Sequence, residues 1–143
     1  MEKNPCNPDV ITILIGVNDV WHEIFFNNGV DIERFDKVYR MLIDDTLKVL
    51  PNVKFIIMEP FILHGDATND HFEEFTDVYN YAKIVRKIAK DYKFPLVELQ
   101  EPFNEAIKNG GDANYLYDGV HPSPAGAKLI ADKWLETFDK YFK

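Results

Sequence analysis

The chain has 143 residues, of which 46% are hydrophobic and 28% charged, enough apolar material for the core of one globular domain. The 24 acidic and 16 basic residues give a net charge of −8 without a cluster of Lys or Arg, so neither nucleic acid nor a membrane is expected as a partner. The single cysteine, Cys6, excludes an internal disulfide and a multi-cysteine metal site, and with the polar, leaderless N-terminus it favours a cytoplasmic setting.

The first half of the chain contains two short apolar segments with a longer amphipathic segment between them. Residues 10–15 are a short, β-branched, continuously apolar run, which predicts a strand covered on both faces. Residues 32–50 predict a helix with Asp31 as its N-cap, and residues 54–58 predict a second apolar strand. The side chains predicted to face the core from this helix are Phe35, Val38, Tyr39, Leu42, Thr46 and Val49.

The second half continues the alternation. Residues 59–76 are predicted as a loop, residues 77–93 as a second helix and residues 95–99 as a third strand. Ser123 is predicted to cap a last helix, with Pro124 at its first position, where a proline costs nothing. The core-facing positions of the two helices are Val78, Tyr81, Ala82, Val85, Ile88, Ala89 and Tyr92, and then Ala127, Ile130, Ala131, Trp134, Phe138 and Tyr141.

This order predicts the fold class and the place of a site. Strand and helix alternate three times, which is typical of a single α/β domain over residues 1–143, with a parallel sheet between two helical layers. Right-handed crossovers place the C-terminal ends of all strands along one edge, where ligands bind. Residues 16–21 leave the first strand at that edge, and the segment with Asp118 and His121 reaches it before the last helix. The two polar segments should therefore converge.

Asp118 and His121 are three residues apart across a glycine. A tight turn can bring the carboxylate to the ring Nδ1–H, which fixes the tautomer and leaves Nε2 free to take a proton. Taken alone, the same residues are more often a common Asp-Gly turn beside a surface histidine.

Asn18 follows the first strand in the sequence GVND, residues 16–19. Its uncharged amide could donate to the oxygen of a tetrahedral intermediate, and Gly16 would allow the sharp backbone turn. Taken alone, the alternative that Asn18 and Asp19 simply favour turn conformations in a βα-loop is preferred.

Together, GxND after an apolar strand and DGVHPSPAGAKLIA at the last helix resemble the SGNH (GDSL-type) serine hydrolases. The resemblance covers the chain from Val10 to its last helix. It implies a flavodoxin-like three-layer α/β/α fold and an esterase that needs no cofactor or metal. It makes Asn18 an oxyanion-hole donor, Asp118 the acid and His121 the general base of a serine triad, with Gly16 and Asp19 as structural parts of the motif.

The family's nucleophile, the Ser of a GDS motif, has no counterpart in this sequence. The single serine, Ser123, is predicted to be a helix cap, and Cys6 precedes the first strand, about 20 Å from the catalytic edge. The resemblance therefore predicts an N-terminally truncated, C-terminal portion of the domain that lacks two strand–helix units, about 60 residues. Such a chain should be inactive by the serine mechanism. The alternative is a non-catalytic α/β binding module or a gene remnant; a receiver or nucleotide-binding domain is disfavoured because no phosphate-cradling glycine loop is present.

Two further expectations concern partners. In the family the GDS strand would lie beside residues 10–15, so an apolar sheet edge should be open to self-association or aggregation.

Trp21 and His22 are candidate pocket residues, with Phe61 a weaker one. An aromatic face beside polar groups suits a sugar ring, and core packing is the alternative for Trp21 and Phe61. A small acylated carbohydrate is therefore the expected substrate. His64 and His71 are expected to be solvated loop histidines rather than metal ligands.

Overall fold

The computed structural model describes residues 7–110 and 114–143. The predicted strands and long helices are all present, with a few shifted ends, and the prediction for Cys6 lies outside the described residues. In chain order the elements are β1 (Val10–Ile13), α1 (Val17–Phe26), α2 (Ile32–Val49), β2 (Lys54–Met58), α3 (Phe72–Phe75), α4 (Val78–Tyr92), β3 (Leu96–Val97), α5 (Gln100–Gly110) and α6 (Pro124–Phe142).

The three strands form one parallel sheet in the order β1-β2-β3. Side chains of a strand alternate between the two faces, and β2 is buried on both. Phe55 and Ile57 pack with α2 and α4 on one face, whereas Ile56 and Met58 pack with α5 and α6 on the other. The predicted three-layer α/β/α architecture is therefore confirmed. Within the described residues, no helix has both the length and the apolarity that crossing a bilayer requires.

The predicted core-facing residues of α4 and the cap of α6 are also confirmed. All the predicted α4 positions are buried except Tyr92, which is half-buried. Ser123 accepts a hydrogen bond from the Gly126 N–H, as an N-cap residue should. The α6 stripe is half right. The predicted Ile130, Trp134 and Phe138 pack against the core together with Leu129 and Phe142, whereas Ala127, Ala131 and Tyr141 are exposed.

The face of α2 that is buried is rotated by part of a helical turn from the predicted core-facing side. The buried residues are Phe35, Tyr39 and Ile43, one every four positions, whereas Val38, Leu42 and Val49 are exposed. The apolar stripe of this helix is wide, because residues on both sides of the Phe35 row are hydrophobic. The sequence pattern therefore shows that α2 is amphipathic, and the packing against α4 and the rest of that core selects which part of the stripe is buried.

Three helical segments were not predicted. Residues 17–26, expected to begin as a loop, form α1, and residues 100–110 form α5. The predicted loop 59–76 contains a short 3₁₀ turn and α3. β1 ends at Ile13 rather than residue 15, and as an end strand with Thr12 exposed it is not covered on both faces. The direct strand-to-helix step at Gly16 brings the N-terminal turn of α1 to the C-terminal edge of the sheet.

Candidate active site

The Asp118 carboxylate is bonded by three donors within its own turn. Its Oδ1 accepts from the backbone N–H groups of Val120 at 3.0 Å and His121 at 2.8 Å, and its Oδ2 lies 2.7 Å from His121 Nδ1. Gly119 has a φ of +99°, in the left-handed region that favours glycine, and this permits the tight turn. With the carboxylate ionised, Nδ1 carries the proton, so Nε2 has a free lone pair.

Opposing influences act on the pKa of Asp118. Partial burial raises it, but hydrogen bonds from the His121 amide, the His121 ring and the Val120 amide, together with the charge of His121, lower it more. The net effect holds the pKa of Asp118 below its ordinary value. The carboxylate is therefore ionised at neutral pH and suited to stabilise a protonated His121 ring.

One cleft of about 430 Å³ brings the two polar segments together at the C-terminal ends of β1 and β2. Asn18 in the first turn of α1 and His121 both line it, as the topology predicted. The remaining lining residues are Leu14, Ile15, Gly16, Val17, Asp19, Pro60, Phe61, Val120, Pro122 and Ile130.

Gly16 fixes the entry into α1. Its φ is +129°, and a Cβ at this position would lie 3.1 Å from Pro60 Cγ, so both conformation and space favour glycine. The turn sets Asn18 among the unpaired N–H groups that begin every helix. Asp19 lies in the same turn, where burial raises its pKa against the lowering effects of its own backbone hydrogen bond and of His22.

The three candidate pocket aromatics are placed differently. The half-buried Trp21 ring meets the His121 ring edge-on with centroids 6.3 Å apart, and it also packs on Phe75. Phe61 is buried and lines the cleft. His22 is exposed and packs against Phe26, and neither Trp21 nor His22 is among the residues that line the cleft.

Ser123 is engaged as a structural cap. It is buried, and its Oγ lies 2.5 Å from the carbonyl oxygen of Asn114 and 3.1 Å from that of Tyr115. The hydroxyl therefore has its proton directed to backbone carbonyls rather than to His121. The predicted role of this serine as a helix cap is confirmed.

The chain is similar to known ester hydrolases along most of its length. The model of the GDSL-like lipase/acylhydrolase family matches residues 2–129. An acetylxylan esterase from Geobacillus stearothermophilus is 30% identical over 132 residues, which cover 90% of this chain and 58% of that protein. A crystal structure from Parabacteroides merdae, described as that of a GDSL-like lipase, superposes with a TM-score of 0.85 at 32% identity, covering 93% of this chain and 61% of that one.

The chain belongs to the GDSL-like lipase/acylhydrolase family. A crystal structure of the Geobacillus acetylxylan esterase also matches, with a TM-score of 0.74 at 28% identity over 96% of this chain and 61% of that chain. This family member thus spans about six tenths of the length of these relatives.

The contribution of the loop after β2 to this candidate site was not predicted from the sequence. Gly65 lies directly against the turn, since a Cβ at Gly65 would be 2.2 Å from the Asp118 carbonyl carbon. Thr68, in the same loop, is fully buried. An isolated glycine and a lone threonine in a polar loop carry no periodic signal, so only the three-dimensional contact shows their position.

The loop histidines pair with neighbours in sequence. His64 Nδ1 lies 3.1 Å from Asn69 Oδ1, and His71 Nδ1 lies 2.5 Å from Glu74 Oε2. In the part of the chain that the structure describes, no group of three His, Cys, Asp or Glu side chains is arranged to hold a metal ion.

Proposed function

We propose that this chain supplies the base, acid and oxyanion-binding parts of a serine esterase. His121 acts as general base, Asp118 orients and stabilises it, and the Asn18 side-chain amide donates to the oxyanion. The observation that carries the proposal is the 2.7 Å contact from Asp118 Oδ2 to His121 Nδ1, at a cleft that Asn18 also lines.

The proposed reaction follows from this arrangement. Nε2 of His121 takes the proton of a serine hydroxyl while the serine oxygen attacks the ester carbonyl carbon. The carbonyl oxygen becomes an oxyanion that accepts a hydrogen bond from Asn18. His121 returns the proton to the leaving alcohol as the ester C–O bond breaks. Water then attacks the acyl-enzyme by the same proton route, which releases the carboxylic acid and restores the serine.

The nucleophile in this proposal comes from outside the 143 residues. The only serine in the sequence, Ser123, is bonded as a helix cap. We therefore expect a Gly-Asp-Ser segment, preceding this C-terminal part of the domain or carried by another chain, to complete the triad. The 143-residue chain by itself is expected to be inactive by the serine mechanism.

The proposed substrates are small esters, with an acetyl or short acyl group on a carbohydrate. Two observations support this class. The Geobacillus relative is an acetylxylan esterase by name, and the cleft of about 430 Å³ is within the size range of small-molecule sites. The half-buried Trp21 ring beside His121 offers an aromatic edge near the point where the alcohol would leave.

Labelling with a fluorophosphonate probe, followed by hydrolysis of an acetyl ester, tests the proposal. A form of the protein that carries an upstream Gly-Asp-Ser segment should label, and the 143-residue chain should not. In that longer form, Asn18→Ala should lower kcat by about 10²–10³-fold, and His121→Ala should abolish labelling. His71→Ala removes an exposed histidine that pairs with Glu74 and serves as the matched control. Absence of labelling in both forms would remove the esterase proposal.

The rival function is a non-catalytic α/β module that binds an acylated sugar without cleaving it. The engagement of Ser123 with backbone carbonyls is the observation in its favour. Saturable binding of an acetylated xylo-oligosaccharide by a longer form that neither labels nor hydrolyses esters would select this function.

A further inference from the structure

We propose that Thr68 and Gly65 are positioning residues for the Asp118–His121 pair, acting through the loop of residues 63–68. This inference rests on the proposed function only in that the proposed function makes Asp118 and His121 a catalytic acid–base pair. The contact itself is the quantity to be measured, so the inference can fail or hold whether or not the protein proves to be an esterase.

Thr68 closes the 63–68 loop on itself. Its side chain is fully buried, and its Oγ1 donates to the Leu63 carbonyl oxygen at 2.8 Å, with the Gly65 carbonyl oxygen at 3.3 Å. The Thr68 N–H also donates to the Gly65 carbonyl oxygen at 3.0 Å. The hydroxyl thus ties the two ends of a six-residue segment together, and no solvent competes for that bond.

The closed loop holds two consecutive carbonyl groups of the acid–base turn. The Ala67 N–H donates to the Asp118 carbonyl oxygen at 3.0 Å, and the Leu63 N–H donates to the Gly119 carbonyl oxygen at 3.0 Å. These bonds come from opposite ends of the loop, so both are made only when the loop is closed. They fix the peptide units that set the direction of the Asp118 side chain.

The contact between loop and turn leaves no free space. A Cβ on Gly65 would lie 2.2 Å from the Asp118 carbonyl carbon, and a Cβ on Gly119 would lie 2.4 Å from Thr68 Oγ1. Any movement of the loop must therefore move the turn or separate from it.

His121 depends on this support because, among the described residues, its ring is largely open to solvent. The side chain is 68% exposed, and it meets the Asp118 carboxylate and the Trp21 ring. The orientation of the ring is therefore inherited from Asp118, and that of Asp118 from the 63–68 loop.

The test compares Thr68→Val, which removes the hydroxyl at constant shape, with Thr68→Ser, which keeps it. Two readouts come from NMR of the whole chain: the downfield His121 Nδ1–H resonance, and the exchange protection of the Val120 and His121 amides that donate to Asp118. The Ile57 amide in β2 reports global opening. Thr137→Val is the matched control, since it removes a similar bond from Oγ1 to the Lys133 carbonyl oxygen about four turns along α6.

Thr68→Val should lower protection of the Val120 and His121 amides about fivefold more than that of Ile57, and weaken the Nδ1–H resonance. Thr68→Ser and Thr137→Val should leave both readouts as in the unmodified chain. An equal loss of protection at Ile57, Val120 and His121, with the Nδ1–H resonance intact, would overturn the proposal and make Thr68 a general stability residue.

Two further measurements apply if the valine variant does not fold. Gly65→Ala keeps the Thr68 hydroxyl but forces the loop off Asp118, and it should weaken the same resonance. In the unmodified chain, the Leu63 and Ala67 amides should open with the same free energy as those of Val120 and His121. Opening of the turn amides independently of the loop amides would also overturn the proposal.

Discussion

The two flanks of the sheet are completed to different extents. At the β3 flank, the fully buried Glu59 carboxylate pairs with the Arg86 guanidinium and accepts from the Leu99 N–H at 2.8 Å and the Gln100 N–H at 3.2 Å. The Gln100 side chain in turn bonds both the N–H and the carbonyl oxygen of Ile62, each at 3.0 Å. The start of α5 is thus joined to the end of β2 through satisfied polar groups.

The β1 flank is open by comparison. Among the described residues, β1 and β3 each pair only with β2, but Leu14 and Ile15 just beyond β1 are exposed. The second helix after β1, α2, exposes Val38 and Leu42, while the buried Tyr39 hydroxyl has no hydrogen-bond partner within the same described ranges. We infer that the β1 flank is the surface that a second chain or another segment covers.

The difference divides the candidate site in two. The Asp118–His121 turn is attached to the 63–68 loop and through Ile62 to the β3 flank, whereas Asn18 follows directly from β1. We therefore expect the acid–base pair to form in the chain as it stands, and the oxyanion side of the cleft to depend on whatever covers β1.

The largest expected effect is at the β3 flank, with Arg86→Met. The substitution leaves the Glu59 carboxylate buried without its counter-charge, which should cost about 3–5 kcal/mol of unfolding free energy. Urea denaturation measures it. The control is Arg40→Met, where the bonded carboxylates of Asp36 and Asp91 are partly exposed, and where a loss of about 1 kcal/mol or less is expected. Equal losses in the two variants would show that the β3 network has no special role.

The next effect is association through the β1 flank. The unmodified chain should associate with rising concentration in sedimentation experiments. The double variant Val38→Lys and Leu42→Lys should weaken that association about tenfold, because it places two like charges on the exposed apolar face of α2. Ile107→Lys, at an exposed apolar position of α5, should have no effect. A monodisperse monomer with a cooperative melting transition would contradict the inferred covering of this flank.

The parts of the fold that were predictable have local causes. The apolar run of β2, the 3–4 spacing of α4 and the Ser123-Pro124 start of α6 each carry their own signal. The start of α5 has no such signal, because the carboxylate that satisfies its first N–H groups is that of Glu59, 40 residues earlier. The helix at residues 17–26 was missed because its first turn includes Asn18 and Asp19 of the GVND motif, two residue types that favour loops and turns.

The site was predictable to the same extent. Asn18 and His121 could be brought together from topology alone, since parallel strands end at one edge. The support from Gly65 and Thr68 could not, because it depends on the contact of two loops 50 residues apart in sequence. His22 illustrates the opposite failure: it adjoins the motif in sequence, but it lies on the outer side of α1, beside Phe26.

A smaller effect on the unfolding free energy is expected at two tyrosines, with opposite sign. It compares a buried hydroxyl that has no hydrogen-bond partner with one that has a partner. Burial raises the pKa of Tyr39, whose hydroxyl has no partner among the described residues, so Tyr39→Phe should increase the unfolding free energy by about 1 kcal/mol. The Tyr81 hydroxyl donates to the Val30 carbonyl oxygen at 2.6 Å, so Tyr81→Phe should decrease it by about 1 kcal/mol. Thermal and urea denaturation check both. Destabilisation by Tyr39→Phe would mean that its hydroxyl has a partner after all.

The smallest expected effect is the response of the acid–base turn to acid. Since hydrogen bonds lower the pKa of folded Asp118, ionisation stabilises the closed turn at pH values above the ordinary value of 3.8. That stabilisation is lost as the pH falls through the lower value of the folded turn. Protection of the Val120 and His121 amides should therefore decrease as the pH is lowered below the ordinary value of 3.8. Asp118→Asn should remove this dependence, and Asp132→Asn, at an exposed pair with Lys128, should keep it. The unmodified chain, with its β1 flank uncovered, should already show this decrease in amide protection. If it does not, the acid–base turn also requires a covered β1 flank, and the division of the site between the two flanks is wrong.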